Sequence, residues 1–227
     1  MTALSAPPVI DLRQPWLRVD LGRRHRVAGW PVVAPADGLA RFVTWLQVCD
    51  ADLPRHVDPD AYFLHRARAE GMPADVGLLT AAEVARFAAH RRALAGGVLT
   101  VVATAGLGNG ESVIPADAPL PSLSPHRVGT INLLAVLPAP LAPPAMLEAV
   151  SIVTQGRTAA VMDLCLRTGD DRPITGTGTD CVVVAAPAGP GAESHCGLHT
   201  ALGRALGEAA YAATWESASC WLEEQAR

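Results

Sequence analysis

Two titratable side chains stand beside glycine- and threonine-bearing turns: Asp180, closing the run Thr175-Gly176-Thr177-Gly178-Thr179-Asp180, and His199 within Gly197-Leu198-His199-Thr200. Amide hydrolysis is a chemistry that such a set can perform. It needs an activated nucleophile, donors that hold a tetrahedral oxyanion, and a proton for an alkylamine that leaves poorly without one. Asp180 could act as general base on water, and His199 could deliver the proton to the amine. Direct attack by Thr177 or Thr179 would pass through an acyl-enzyme. A plain structural role is open to both titratable groups: a carboxylate after a turn often caps its own backbone N–H groups, and a histidine at a helix start often bonds the backbone.

Other polar residues cluster where apolar runs end: Thr104 and Asn109 after one, Thr130 and Asn132 at a second, Thr177, Thr179 and Asp180 before a third. Ends of buried strands are where sheet proteins place ligands, and hydroxyls with glycine-loop N–H groups could polarise a carbonyl there. Gly106-Leu107-Gly108-Asn109-Gly110 is no dinucleotide loop, because Glu111 stands where the third glycine belongs and proline-rich sequence follows instead of a helix. Gly176 to Asp180 lacks the lysine of a phosphate loop. A thiol amidase using Cys181 or Cys196 with His195 or His199 is a rival mechanism. His25, His56, His65, His90 and His126 are scattered and read as structural or surface groups.

Four linked segments carry a resemblance. Ala103-Thr104-Ala105-Gly106-Leu107-Gly108-Asn109, Gly129-Thr130-Ile131-Asn132-Leu133-Leu134, Thr175 to Asp180, and Gly197-Leu198-His199-Thr200-Ala201-Leu202-Gly203, with Leu78-Leu79-Thr80-Ala81-Ala82 upstream, resemble the adenosylcobinamide amidohydrolase family over about residues 74–211. The resemblance implies that water cleaves the amide joining the aminopropanol arm to the corrin ring of adenosylcobinamide, giving adenosylcobyric acid and aminopropanol in corrinoid (cobalamin) salvage. Related members are associated with cobamide remodelling. Cobalt would arrive with the substrate, with no further cofactor and no separate metal ion. Asp180, His199 and Thr179 are then the expected catalytic residues, and Thr104, Asn109, Thr130, Asn132, Arg157 and Thr177 the expected corrinoid-binding ones. A non-catalytic corrinoid carrier or regulator would use the same crevice. Two stretches depart from the family pattern. Thr154-Gln155-Gly156-Arg157 stands where the family usually has Thr-Glu-Ala-Lys, and Ala36-Asp37-Gly38 where a glycine-rich Asn-Gly-Gly turn is common.

The elements that must position these residues can be read from periodicity. Leu17, Val19 and Leu21 alternate with Arg18 and Asp20, and the runs 27–33 and 42–48 are β-branched or aromatic, so the first part is β-rich. Asp58-Pro59 opens a helix ending near Gly71, and a short strand covers 75–79. Thr80 with Glu83 forms a capping box that predicts a helix from Ala81 through Leu94, stopped by Gly96-Gly97. Strands are expected over 98–103, 128–137 and 181–186, helices from Pro143 to about Leu166 and from about Leu202 to Leu222, and proline-rich covering loops over 111–125 and 187–197. The expected class is mixed α/β (α+β): one domain with helices packed on a mixed sheet, a motif-bearing core at 74–211 and a β-rich part, 1–73, of the same domain.

Composition narrows the partners. Half the residues are apolar and 18% charged, enough for a full core. A net charge of -4 with thinly spread basic residues gives no stripe for nucleic acid. Prolines interrupt Ile131 to Leu147, the most apolar stretch, so no membrane span is expected, and the first residues do not read as a secretory signal. Five cysteines, none in a Cys-x-x-Cys pair, fit reduced thiols in a cytoplasmic protein. The sequence leaves homo-oligomerisation open.

Overall fold

A computed structural model describes residues 6–116, 129–190 and 192–226. The strands are β1 (Val9–Arg13), β2 (Trp16–Gly29), β3 (Leu39–Gln47), β4 (Val76–Thr80), β5 (Ala88–Leu94), β6 (Gly97–Ala105), β7 (Gly110–Glu111), β8 (Ile131–Val136), β9 (Gly176–Thr177) and β10 (Cys181–Pro187). The α-helices are α1 (Pro59–Ala69), α2 (Pro143–Asp163) and α3 (Ala201–Gln225). One mixed sheet runs β4-β3-β2-β10-β8-β6-β5, with β1 also pairing to β2. The mixed α+β single domain expected from the sequence is what forms.

β2 decides the shape. Its first half pairs with β3 and its last residues with β10, with a register shift between Asp20 and His25. Such an irregularity bends a strand, and the sheet curls so that β4 approaches β8, where the Asn132 side-chain amide donates to the Leu79 carbonyl at 2.7 Å. Leu17, Val19, Val43, Trp45 and Leu78 from one half then pack against Val102, Leu134 and Val183 from the other, as one buried core inside the curl. The outer face of β6, β8 and β10 turns Val101, Leu133 and Val184 toward α2 and α3 in a second core. Both faces are covered, which is why these strands are continuous apolar runs. A third cluster, with Trp16 and Phe63 edge to face at 5.8 Å between ring centroids, holds α1 on the outside of β3 and β4.

One expectation fails outright. The segment after Thr80 makes only a single 3-10 turn, Val84–Arg86, before β5, which forms an antiparallel hairpin with β6 through Ala95-Gly96. The Thr80 hydroxyl accepts from Ala82 N at 3.1 Å, and Glu83 pairs with Arg86 instead of closing a box. Pairing along β6 outweighs local capping here, and β5 shows the alternating burial of an edge strand. The glycines at 96–97 mark a hairpin, not a helix end. The N-cap reading at Asp58 holds, its side chain accepting from Asp60 N. β8 begins at Ile131, later than the 128 expected; residues 117–128, including most of the 111–125 loop and His126, lie outside the described residues, as does Gly191 in the second loop. No helix among the described residues is long and apolar enough to cross a membrane.

Candidate functional site

Three segments distant in sequence converge at one end of the curl. The two-stranded ladder of β7 and β9 ties Gly110 and Glu111 to Thr177 and Gly176. The Thr130 hydroxyl donates to the Thr179 carbonyl at 2.7 Å, and the Thr179 hydroxyl donates to the Gly129 carbonyl at 3.0 Å. The Asn109 amide donates to the Thr179 hydroxyl at 3.4 Å. Position 129 must be glycine, because a Cβ there would lie 2.6 Å from Gly108 N and 2.8 Å from the Gly106 carbonyl oxygen, which are fixed backbone. The motif spacing therefore encodes close backbone approach.

Asp180 is the clamp of this arrangement. Its carboxylate pairs with the Arg157 guanidinium, accepts from the Thr177 hydroxyl, and takes the Thr177 and Ile131 N–H groups at 3.1 and 3.2 Å. The Asp180 side chain is 8% exposed and that of Arg157 11%. Its oxygens are occupied by partners, and Asp180, expected from the sequence as general base, here orders the turn as a carboxylate capping its own loop does. Arg157 and Thr177, expected on the corrinoid, bind Asp180. Gly176 accommodates this pair, since a Cβ would meet the Arg157 guanidinium. Gln155 is on the exposed face of α2, bonded to Ser151, so the carboxylate that the family usually carries there is absent from solvent-facing helix, not from the site.

Asn109, Gly129, Thr130 and Thr179 line a cleft of about 630 Å³ at the mouth of the curl, floored by Leu79 and Cys181. Its other wall is Val32, Val48, Leu53, Pro54 and Pro59, with Cys49, Asp50 and Arg55 among them. This wall comes from the first third of the chain, to which the sequence assigned no function; its strand runs and the Asp58-Pro59 helix start marked it as structure alone. Thr104 and Asn132 sit opposite each other in the β6–β8 register, both fully buried, and Asn132 pairs in register with Cys181 below the cleft. The Thr104 hydroxyl and the Asn132 side-chain oxygen have no hydrogen-bond partner there. These two residues, expected at the ligand, lie buried beneath the floor.

His199 is not part of this grouping. It is exposed, just ahead of the Thr200 cap of α3, in the loop that leaves the far end of β10 and docks on the start of α2 through Cys196 N and Glu148, 2.6 Å apart. Asp180 stands at the opposite end of β10, which spans about 20 Å over its seven residues. His199, expected to deliver a proton, thus stands apart from Asp180. The thiol alternative also loses its basis. Cys181 and Cys196 are buried, and burial, with the charges of Asp180 on one and of Glu148 and Glu193 on the other, pushes both thiols up to about 11. A nucleophilic cysteine needs the opposite shift. Among the described residues no group of three or more His, Cys, Asp or Glu side chains could hold a metal ion.

Comparison with known proteins adds the following. A family model described as adenosylcobinamide amidohydrolase matches residues 5–226. An uncharacterised protein of Methanocaldococcus jannaschii is 33% identical over 86 residues, which is 37% of this chain; the chain spans about a third of that relative's length. A solved structure from Pyrococcus horikoshii superposes with a TM-score of 0.45 at 9% identity, covering 93% of this chain and 79% of the other. A Burkholderia β-aminopeptidase superposes with a TM-score of 0.45 at 13% identity, covering 96% and 82%.

Proposed function

Because the chain belongs to the adenosylcobinamide amidohydrolase family, we propose that it hydrolyses the aminopropanol amide of adenosylcobinamide, releasing adenosylcobyric acid and aminopropanol for corrinoid salvage. The observation that carries the reading is the convergence of the resembling segments Gly106 to Asn109, Gly129-Thr130 and Thr177 to Asp180 around one cleft. An adenosylated corrinoid is larger than the ligands such clefts enclose, so the cleft takes the edge that bears the amide arm and leaves the rest of the macrocycle outside. The apolar wall from Val32 to Pro59 suits the methyl-rich periphery of the ring.

On the other wall, one Asn109 N–H is spent on Thr179 and the second can polarise the scissile carbonyl and hold its oxygen as charge develops. Locking the Thr179 turn through the buried Asp180–Arg157 pair keeps that donor in place without reorganisation. Water is the nucleophile. The cobalt ion belongs to the substrate and the reaction calls on no second metal. Incubating the purified protein with adenosylcobinamide and following products by mass spectrometry tests this. Adenosylcobyric acid and aminopropanol should appear in equal amounts. A corrinoid that binds and is recovered unchanged would make the protein a carrier.

A further inference from the structure

We propose that Asp50 is the proton-transferring catalytic residue of this cleft, a role that rests on the amide-hydrolysis reading above. With Asp180 consumed by Arg157, Thr177 and Ile131, and His199 at the far end of β10, the described residues of the polar wall that line the cleft carry no carboxylate or imidazole. Among the described residues lining the cleft, Asp50 carries the one carboxylate; the ionisable groups that share the space with it are Cys49, Arg55 and Cys181. Cys181 is protonated at neutral pH.

The turn that presents Asp50 is built to be rigid. Asp50–Asp52 forms a 3-10 turn capped by Cys49. The neighbouring carboxylate, Asp52, is fully used: it accepts from Cys49 N at 2.8 Å and from the Tyr62 hydroxyl at 3.0 Å, and these bonds hold it below the usual carboxylate range. Tyr62 is in turn bonded by Arg66, Arg66 by Glu70, and Glu70 by the Trp16 indole, which anchors the turn to α1 and β2. From the other side Val48 N donates to the Thr80 carbonyl at 2.9 Å. Two acids of one turn thus have divided roles: Asp52 fixes the turn, and Asp50, exposed and with no side-chain hydrogen bond or ion pair among the described residues, lines the cleft.

The chemistry balances through this one group. The Asp50 carboxylate takes a proton from water as the water oxygen bonds to the amide carbon, and the carbonyl electrons move to the oxygen held by Asn109. Asp50, now protonated, gives that proton to the amide nitrogen as the C–N bond breaks and the carbonyl re-forms. Aminopropanol leaves, the carboxylate is regenerated, and the acid product passes its own proton to the freed amine in solution.

Asp50→Asn and Asp50→Glu, assayed as full-length protein with adenosylcobinamide, test the assignment. A positioned acid or base is worth about 10²–10⁴ in rate, so Asp50→Asn should lower kcat at least about a hundredfold. KM and the Kd for the coloured corrinoid, read by absorbance titration, should stay within about twofold. The loss of kcat/KM on the acid side of the wild-type pH profile should vanish in Asp50→Asn and return with part of the rate in Asp50→Glu. An Asp50→Asn protein that binds corrinoid and keeps more than about a tenth of wild-type kcat, or that keeps the acid limb, overturns the assignment alone. A wild-type protein that releases no aminopropanol overturns the amidase reading and this role with it.

Discussion

Asn109, Gly129, Thr130 and Thr179 share a cleft with Val32, Val48, Leu53, Pro54 and Pro59, and the two groups are assembled by opposite means. The first is a stack of glycine-bearing turns held by backbone-directed hydroxyls and a buried ion pair. The second presents ordinary apolar side chains from a strand end and a short turn buttressed by α1. Close backbone approach tolerates few residue types, so the first wall leaves a recognisable pattern in the sequence. A wall made mainly of apolar side chains can be built from many residues, and it leaves none. Motif density therefore reports where the backbone is constrained, and it understates how much of the site comes from elsewhere.

The strongest way to break this comparison is to remove the clamp. Asp180→Ala leaves the Arg157 guanidinium buried without its partner, which should cost about 3–5 kcal/mol in a denaturant titration. A loss below about 1 kcal/mol would mean that the polar wall is not held by this pair. The opposite wall should respond in a different quantity. Leu53→Ala removes apolar contact worth about 1 kcal/mol, roughly a fivefold rise in corrinoid Kd, with kcat lowered far less than by Asp50→Asn because Asn109 and Asp50 are both kept. A fall in kcat with unaltered Kd would place Leu53 in the chemistry and blur the division.

Legibility followed the same division. The four segments, the strands β6 and β10 and the helices α2 and α3 were readable because glycine spacing and apolar period are local signals. The hairpin of β5 was not, since Thr80 and Glu83 carry a capping pattern that only pairing with β6 overrides. Asp180 was legible as a turn-closing or a catalytic carboxylate, but its tie to Arg157, 23 residues upstream, was not, because only the fold brings the two together. Asp50 escaped notice for the converse reason. Its importance depends on β3 and β4 carrying its turn to the mouth of the curl, which no spacing in the sequence records.

A further effect is expected at two buried thiols, one in the floor of the cleft and one in the loop that follows β10. Cys181 and Cys196 are shifted from 9.0 to about 11, so the stability they contribute is present below about pH 9 and is lost as the pH rises through about 11. Between those values the unfolding free energy should decline. Iodoacetamide at neutral pH should leave both thiols unmodified, as peptide mass spectrometry would read; rapid alkylation of Cys181 there would reopen the thiol mechanism.

The claim on which the rest depends is that the corrinoid edge seats between these two walls. A crystal structure of the protein with adenosylcobyric acid bound reads this directly. The account predicts the macrocycle against Leu53 and Pro54, with the newly formed carboxyl group between Asn109 and Asp50. A corrinoid seated elsewhere, for example in the groove of about 380 Å³ between Leu39 and Met146 at the start of α2, would contradict it.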